Sequence, residues 1–288
     1  MIKNNRKIKM RRRRSVFLCI IVILILCTIC IFVRNYSGAA FTKVSSKKVV
    51  THKKVAAQKK KKLDLEDKDK GIEVFKMKSD PGEVMPWVDQ KESTKKIAYL
   101  TFDDGPSINT TKILKILDDN KIKATFFLIG KNAERYPELV KSELADNNSV
   151  ANHTYSHILN YREGPEVFLE DVKKCDSVLK NIAGDKYIQN FMRFPGGAFE
   201  SQKRLEPFRQ AVTNAGYRFL NWNDMNGDAD HPNVPVDTLI NNVKKYTQGK
   251  KIVVILMHDA AAKSTTVQAL PTIIDYLKSQ GFVFGKLE

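Results

Sequence analysis

From residue 96 onward the chain alternates short apolar runs with amphipathic stretches, and this alternation limits the folds open to it more than any other feature. The runs are KKIAYLTF, ATFFLIG at 124–130, a weaker SVANH at 149–153, NFMRFP at 190–195, YRFLNW at 217–222, KIVVILM at 251–257 and FVFGKL at 282–287. Between them, segments 110–120, 167–181, 207–215 and 267–280 place apolar residues on one helical face, as with Ile113, Leu114, Ile116 and Leu117. Strand–helix alternation over roughly 190 residues predicts an α/β fold with a parallel sheet of about seven strands. The pattern leaves open whether that sheet is flat or closed into a small barrel.

The polar residues of this region are not scattered. DDGPS follows the first run, HTYSH the third, RFPGG the fourth, WNDMNGD the fifth and LMHD the sixth. Strand C-terminal ends of parallel α/β folds converge on one face, where sites are built. Adjacent Asp103 and Asp104 repel each other unless a cation or a proton intervenes. His153 and His157 are four apart, a spacing that one helical turn would bring to one side. Two imidazoles and one carboxylate leave coordination positions open, as in a catalytic metal site, and the second carboxylate stays free as a base. His258, after an apolar strand, is placed to act as a general acid. Arg193 is placed to hold the free aspartate, with the Gly196 backbone N–H as an oxyanion donor. There is no GxSxG elbow, and Cys175 sits mid-helix without a partner, which argues against a covalent nucleophile.

The rest of the chain has a different composition. Residues 1–97 hold 25 lysines and arginines against 9 acidic residues, whereas residues 98–288 hold 24 against 23. Basicity confined to one end, beside a nearly neutral folded part, argues against a nucleic-acid partner. Residues 1–14 carry eight basic residues and no acid, and residues 15–33 (SVFLCIIVILILCTICIFV) carry no charge. As a helix that stretch spans about 28 Å, close to the bilayer core. A basic flank predicts a cytoplasmic N-terminus and an extracellular remainder. The rival is a cleaved signal peptide with its cut near 37–40, but the apolar run exceeds the usual 7–15 residues, so an uncleaved single-pass anchor is expected. Residues 34–95 read as an extracellular Lys-rich linker, with a second reading as an electrostatic contact to anionic wall polymers. Trp87 is placed to dock on the edge of the domain at 96–288.

TFDDGPS, HTYSH, RFPGG and LMH, in that order and at these separations, resemble the polysaccharide deacetylase family, also called the NodB-homology family or carbohydrate esterase family four. The resemblance spans roughly residues 96–288 and implies a deformed (β/α) barrel. It implies Asp103 as catalytic base, Asp104, His153 and His157 as ligands of one divalent metal (usually zinc, sometimes cobalt or another ion), and His258 as catalytic acid. It places Leu256 beside the acetyl methyl and Arg193 beside Asp103. Two departures stand out. Gly196 replaces a bulkier residue after the proline. In the fourth motif, aligned on Trp222, Met225, Asp228 and Ala229 stand where Asp, Asp and Trp are usual, which leaves Asp228 or Asp224 as the candidate partner of Arg193. The expected protein is a monomeric, membrane-anchored enzyme of a Gram-positive-type bacterium. It removes N-acetyl groups from N-acetylglucosamine residues of peptidoglycan. The alternatives are a deacetylase of another glycan (poly-N-acetylglucosamine, chitin oligomers or acetylxylan) and a catalytically weak wall-binding module.

Overall fold

The computed structural model describes residues 71–288. The basic segment, the expected span at 15–33 and the linker up to residue 70 lie outside the described residues. Among those described, no helix is long and apolar enough to cross a membrane.

All seven expected runs are strands: β3 (Lys96–Gly105), β4 (Thr125–Leu128), β5 (Ser149–Asn152), β6 (Phe191–Met192), β7 (Arg218–Leu220), β9 (Ile252–His258) and β10 (Phe282–Leu287). Three more bring the sheet to ten strands: β1 (Glu73–Phe75), β2 (Gly82–Val84) and β8 (Asp224–Met225). β6 and β7 are as short, but longer apolar runs (NFMRFP and YRFLNW) announce them, whereas no run read as a strand surrounds β1, β2 or β8, so the sequence count stops near seven. The helices are α1 (Pro86–Asp89), α2 (Thr110–Asp119), α3 (Gly130–Arg135), α4 (Pro137–Ala145), α5 (Gly164–Ala183), α6 (Glu206–Asn214), α7 (Val236–Thr247) and α8 (Ser264–Ser279). The four amphipathic segments read from sequence are α2, α5, α6 and α8.

Every strand pair is parallel, in the order β1-β10-β3-β4-β5-β6-β7-β2, with β9 also on β3 and β8 on β9. The two-residue period of β3 sends Ala98, Leu100 and Phe102 outward, into a core shared with Ile113, Leu117 and Ile273 of the helices. Ile97 and Tyr99 point inward, into a cluster with Phe75, Phe127, Phe191 and Val254 that draws on nine of the ten strands. A flat sheet cannot bring one face of so many strands together, so this one curls around the cluster toward a deformed barrel. No backbone ladder joins β7 to β8 among the described residues; residues 221–223 bridge them as chain.

Residues 71–95, read from sequence as the end of the linker, belong to this sheet. β1 pairs with β10, β2 with β7, and Trp87 packs against the inner cluster. The inward register continues beyond the apolar layer to Thr101 and Asp103 on β3, and to Leu256 and His258 on β9, which lie opposite each other in the ladder. Strand period alone therefore carries these polar groups to the mouth of the curled sheet.

Candidate active site and metal centre

The two aspartates of DDG face different ways because the β3–β4 register shifts between Asp103 and Gly105. This bulge, with Asp104 at φ 70°, turns consecutive carboxylates toward separate partners. Asn132 Nδ2 donates to the Asp104 carbonyl at 2.8 Å. Downstream, Asp259 accepts from Ser107 and Thr110, tying the turn after Gly105-Pro106 to the start of α2. Burial pushes the Asp259 carboxyl up to about 7.

Asp103 is buried, and its Oδ1 accepts from Arg193 Nη1 at 2.8 Å. Arg193 is itself fully buried. It donates to Thr101 Oγ1 and to the carbonyls of Leu220 and Asn221, and its guanidinium lies 4.2 Å from the Phe127 ring centre. Burial lowers Arg193 while the Asp103 charge opposes that shift, and the pair holds one aspartate oxygen fixed. The other, Oδ2, lies 3.7 Å from His153 Nε2.

Asp104, His153 and His157 each offer one ligand atom, all within 4.8 Å of one another. Asp104 Oδ1 is buried without a hydrogen-bond partner, 3.2 Å from His157 Nε2 and 3.5 Å from His153 Nε2. His153 Nδ1 lies 2.8 Å from the Arg193 carbonyl, an acceptor only, so Nδ1 carries the proton and Nε2 presents its lone pair. An orphaned buried carboxylate oxygen facing two imidazole nitrogens fits a divalent cation of the zinc type. Burial alone would raise Asp104, but the histidines outweigh burial and hold it well below the usual carboxylate range. Burial lowers His157, whereas for His153 the Asp103 and Asp104 charges overcome burial and raise it.

The two histidines do not meet on a helical turn, contrary to the sequence expectation. Residues 153–157 form a loop in which Thr154 and His157 both have positive φ. Asp171 of α5 shapes it by accepting from the Tyr155 and Ser156 amides and the Ser156 hydroxyl, while Thr154 Oγ1 accepts from the His157 amide. Asp171 lies fourteen residues beyond His157, and nothing local in the sequence marks it.

His258 Nδ1 lies 2.6 Å from Asp228 Oδ1, and Asp228 Oδ2 accepts from the His258 amide and from Thr266 Oγ1. Burial alone would lower the imidazole, but the bond to Asp228 and its charge outweigh burial and raise His258 to about 9. This corrects the reading of the fourth motif. Asp228 serves His258, and neither it nor Asp224 touches Arg193, whose further partners are the Thr101 hydroxyl and two backbone carbonyls. Asp224 is buried away from the mouth, accepts from Thr247 Oγ1, and is pushed up to about 7 by burial. Trp222 stands 5.7 Å from the Arg193 guanidinium and edge-on to Phe199. It crowds Gly197, where an added Cβ would lie 2.8 Å from the indole. Gly196 is exposed at φ 73°, and a Cβ there would meet nothing within 4 Å. Leu256 is buried one inward position below His258. Cys175 is buried in α5, and burial pushes its thiol well up.

A parallel α/β domain with a fixed carboxylate, a three-ligand metal trio and a carboxylate-supported histidine at one strand-end mouth has the equipment of a metal-assisted hydrolase. The polysaccharide deacetylase family profile matches residues 90–220. A peptidoglycan-N-acetylglucosamine deacetylase of Bacillus cereus is 33% identical over 195 residues, covering 66% of this chain and 68% of the relative. Among solved structures, the catalytic domain of a peptidoglycan N-acetylglucosamine deacetylase from Eubacterium rectale is 30% identical with a TM-score of 0.60, covering 73% of this chain and 93% of that one. A Streptococcus mutans esterase of carbohydrate esterase family four is 28% identical with a TM-score of 0.62, covering 70% of this chain and 90% of that one. The chain belongs to the polysaccharide deacetylase family and is a hydrolase acting on N-acetyl groups. The Asp228–His258 pair lies beyond the stretch the profile matches.

Proposed function

We propose that the protein hydrolyses the N-acetyl group of N-acetylglucosamine residues in peptidoglycan, with one divalent metal ion held by Asp104, His153 and His157. The observation that carries this reading is that a fixed base and a charged acid face each other across the β3–β9 ladder, beside the metal trio. When bound, the ion supplies Lewis-acid polarisation of the amide carbonyl and lowers the pKa of an attacking water.

The protein groups divide the proton work. Asp103, with Oδ1 held by Arg193, takes a proton from the attacking water through Oδ2. The water oxygen bonds to the acetyl carbon, and the Gly196 N–H is the candidate donor to the resulting oxyanion. His258, charged at neutral pH, gives its Nε2 proton to the amine as the C–N bond breaks, releasing acetate and a free amino sugar. Asp228 keeps that imidazole protonated and oriented. Leu256 supplies an apolar contact for the acetyl methyl.

Peptidoglycan as the substrate is supported by the names of the relatives and by the anchor inferred at residues 15–33, which would place the domain outside the membrane, facing the wall. Zinc is the ion best suited to two imidazoles and a carboxylate. The test measures acetate released from peptidoglycan, chitin oligomers and acetylxylan, with chelator, metal add-back and Asp103→Asn controls. Release from peptidoglycan that is lost with chelator and restored by metal is expected. Preferential release from acetylxylan would overturn the substrate assignment, and release insensitive to chelator and to Asp103→Asn would overturn the mechanism.

A further inference from the structure

The end of the curled sheet opposite the site holds a second concavity, of about 430 Å³. Lys96, Lys244, Lys245 and Lys250 line it together with Tyr276 and Phe282, and no acidic side chain does. Because residues 98–288 are almost neutral, Lys244, Lys245 and Lys250 gathered beside Lys96 around one cavity are a local segregation of charge.

The ammonium groups are placed rather than loose. Lys96 Nζ donates to the Gln280 carbonyl at 3.1 Å and sits 5.5 Å from the Phe282 ring centre, and Lys250 Nζ donates to the Asn223 carbonyl. Lys244 Nζ lies 5.7 Å from the Tyr276 ring centre and Lys245 Nζ 5.2 Å from that of Tyr246. An ammonium carries three donors, so the carbonyl contacts leave two on Lys96 and on Lys250, and ring contacts consume none. Among the described residues, none of the four forms an ion pair. The dipole of α7 accounts for Lys244 and Lys245 near its C-terminal end. It does not account for Lys96 and Lys250, which reach the same cavity from the starts of β3 and β9. Asp224 is buried behind Thr247, and burial holds it near 7, so it opposes a bound anion only in part.

We propose that this cavity docks a polyanion of the phosphodiester class. Lysine serves phosphate as a point charge and needs no planar acceptor. A bilayer surface is flat and cannot enter a cavity of this size, whereas a flexible phosphodiester chain can present one phosphate at a time. Lys96 stands seven residues before Asp103 on β3, about 23 Å away at 3.3 Å per residue, so a polymer held there leaves the catalytic mouth open. Docking and catalysis are separate claims, and the test below does not depend on deacetylation.

The full chain is treated with an amine-acylating reagent, and each lysine is followed by mass spectrometry. A glycerol-phosphate oligomer is the first probe and phosphatidylglycerol vesicles the second. The oligomer should slow acylation several-fold at Lys96, Lys244 and Lys245 and leave Lys141 and Lys203 unchanged. Reading single lysines separates this cavity from the basic N-terminal segment. In the K244Q/K245Q double variant, with its melting temperature unchanged, half-maximal protection of Lys96 should need roughly thirtyfold more oligomer. Unprotected cavity lysines in the wild type, or protection by vesicles and not by oligomer, would overturn the proposal.

Discussion

Asp103 and Asp228 are equally buried, yet their partners give them opposite tasks. Arg193 occupies one oxygen of Asp103 and leaves the other facing the mouth, whereas both oxygens of Asp228 are spent on His258 and Thr266. Replacing Asp228 by Asn removes the charge that outweighs burial at His258, so the imidazole falls from about 9 toward its ordinary 6.5. The sign is fixed by the direction of the shift. A raised histidine is charged, and contributes stability, below its ordinary value, and it loses both as pH rises through about 9. The alkaline limb of the pH–rate profile should therefore move to lower pH, with kcat at pH 8 reduced roughly 10–100-fold and KM little changed. An alkaline limb that stays in place would remove His258 from the role of acid. Asp103→Asn should cost roughly 10²–10⁴-fold in kcat with bound metal unchanged, whereas His153→Ala should lose the metal itself, both read by elemental analysis beside the assay. The DD and HxxxH spacings suggested a metal site with one free carboxylate, and only the family resemblance told Asp103 as base from Asp104 as ligand. The partner of Asp228 was not legible, because thirty residues and helix α7 separate it from His258 and only the β9 register brings them together.

At the scale of elements, the metal loop shows why spacing alone gave a right grouping for a wrong reason. His153 and His157 converge through a loop with two residues at positive φ, held from outside by Asp171 on α5. Asp171 thus positions the candidate ligands without being one. Asp171→Ala removes the acceptor of the Ser156 amide and hydroxyl, leaving those donors to solvent at the partly exposed loop, while the Tyr155 amide keeps its bond to the Asp171 backbone carbonyl. Metal affinity should fall roughly 10–100-fold, the usual effect of losing support for a ligand. The melting temperature of the metal-free protein should move only a few degrees, since the surrounding core is untouched. Competition with a chromogenic chelator measures the first and thermal denaturation with chelator the second. If metal affinity is unchanged, the loop is held by the metal and not by α5.

For the whole molecule, the sequence boundary at residue 96 divides what the structure joins. The long central strands were legible because each holds four or more apolar residues in register. β1 and β2 were not, since they lie in a stretch read as linker and their burial exists only once β10 and β7 are there to receive them. A chain beginning at Lys96 would lose the burial of Phe75 and Val84, the packing of Trp87 and the Gln90 acceptor of the buried Tyr99 hydroxyl. Each fully buried apolar side chain contributes about 1.5–3 kcal/mol, against a total stability of about 5–15 kcal/mol. The melting temperature should therefore fall by roughly 10–20 °C relative to a chain beginning at Gly71. Burial raises Tyr99 to about 12, so its opening should also bring that hydroxyl back toward the ordinary tyrosine value, near 10, in an absorbance titration. Equal melting temperatures would mean that β1 and β2 rest on a barrel already complete without them. A large drop would make residues 71–95 part of the catalytic domain, with the linker ending before them.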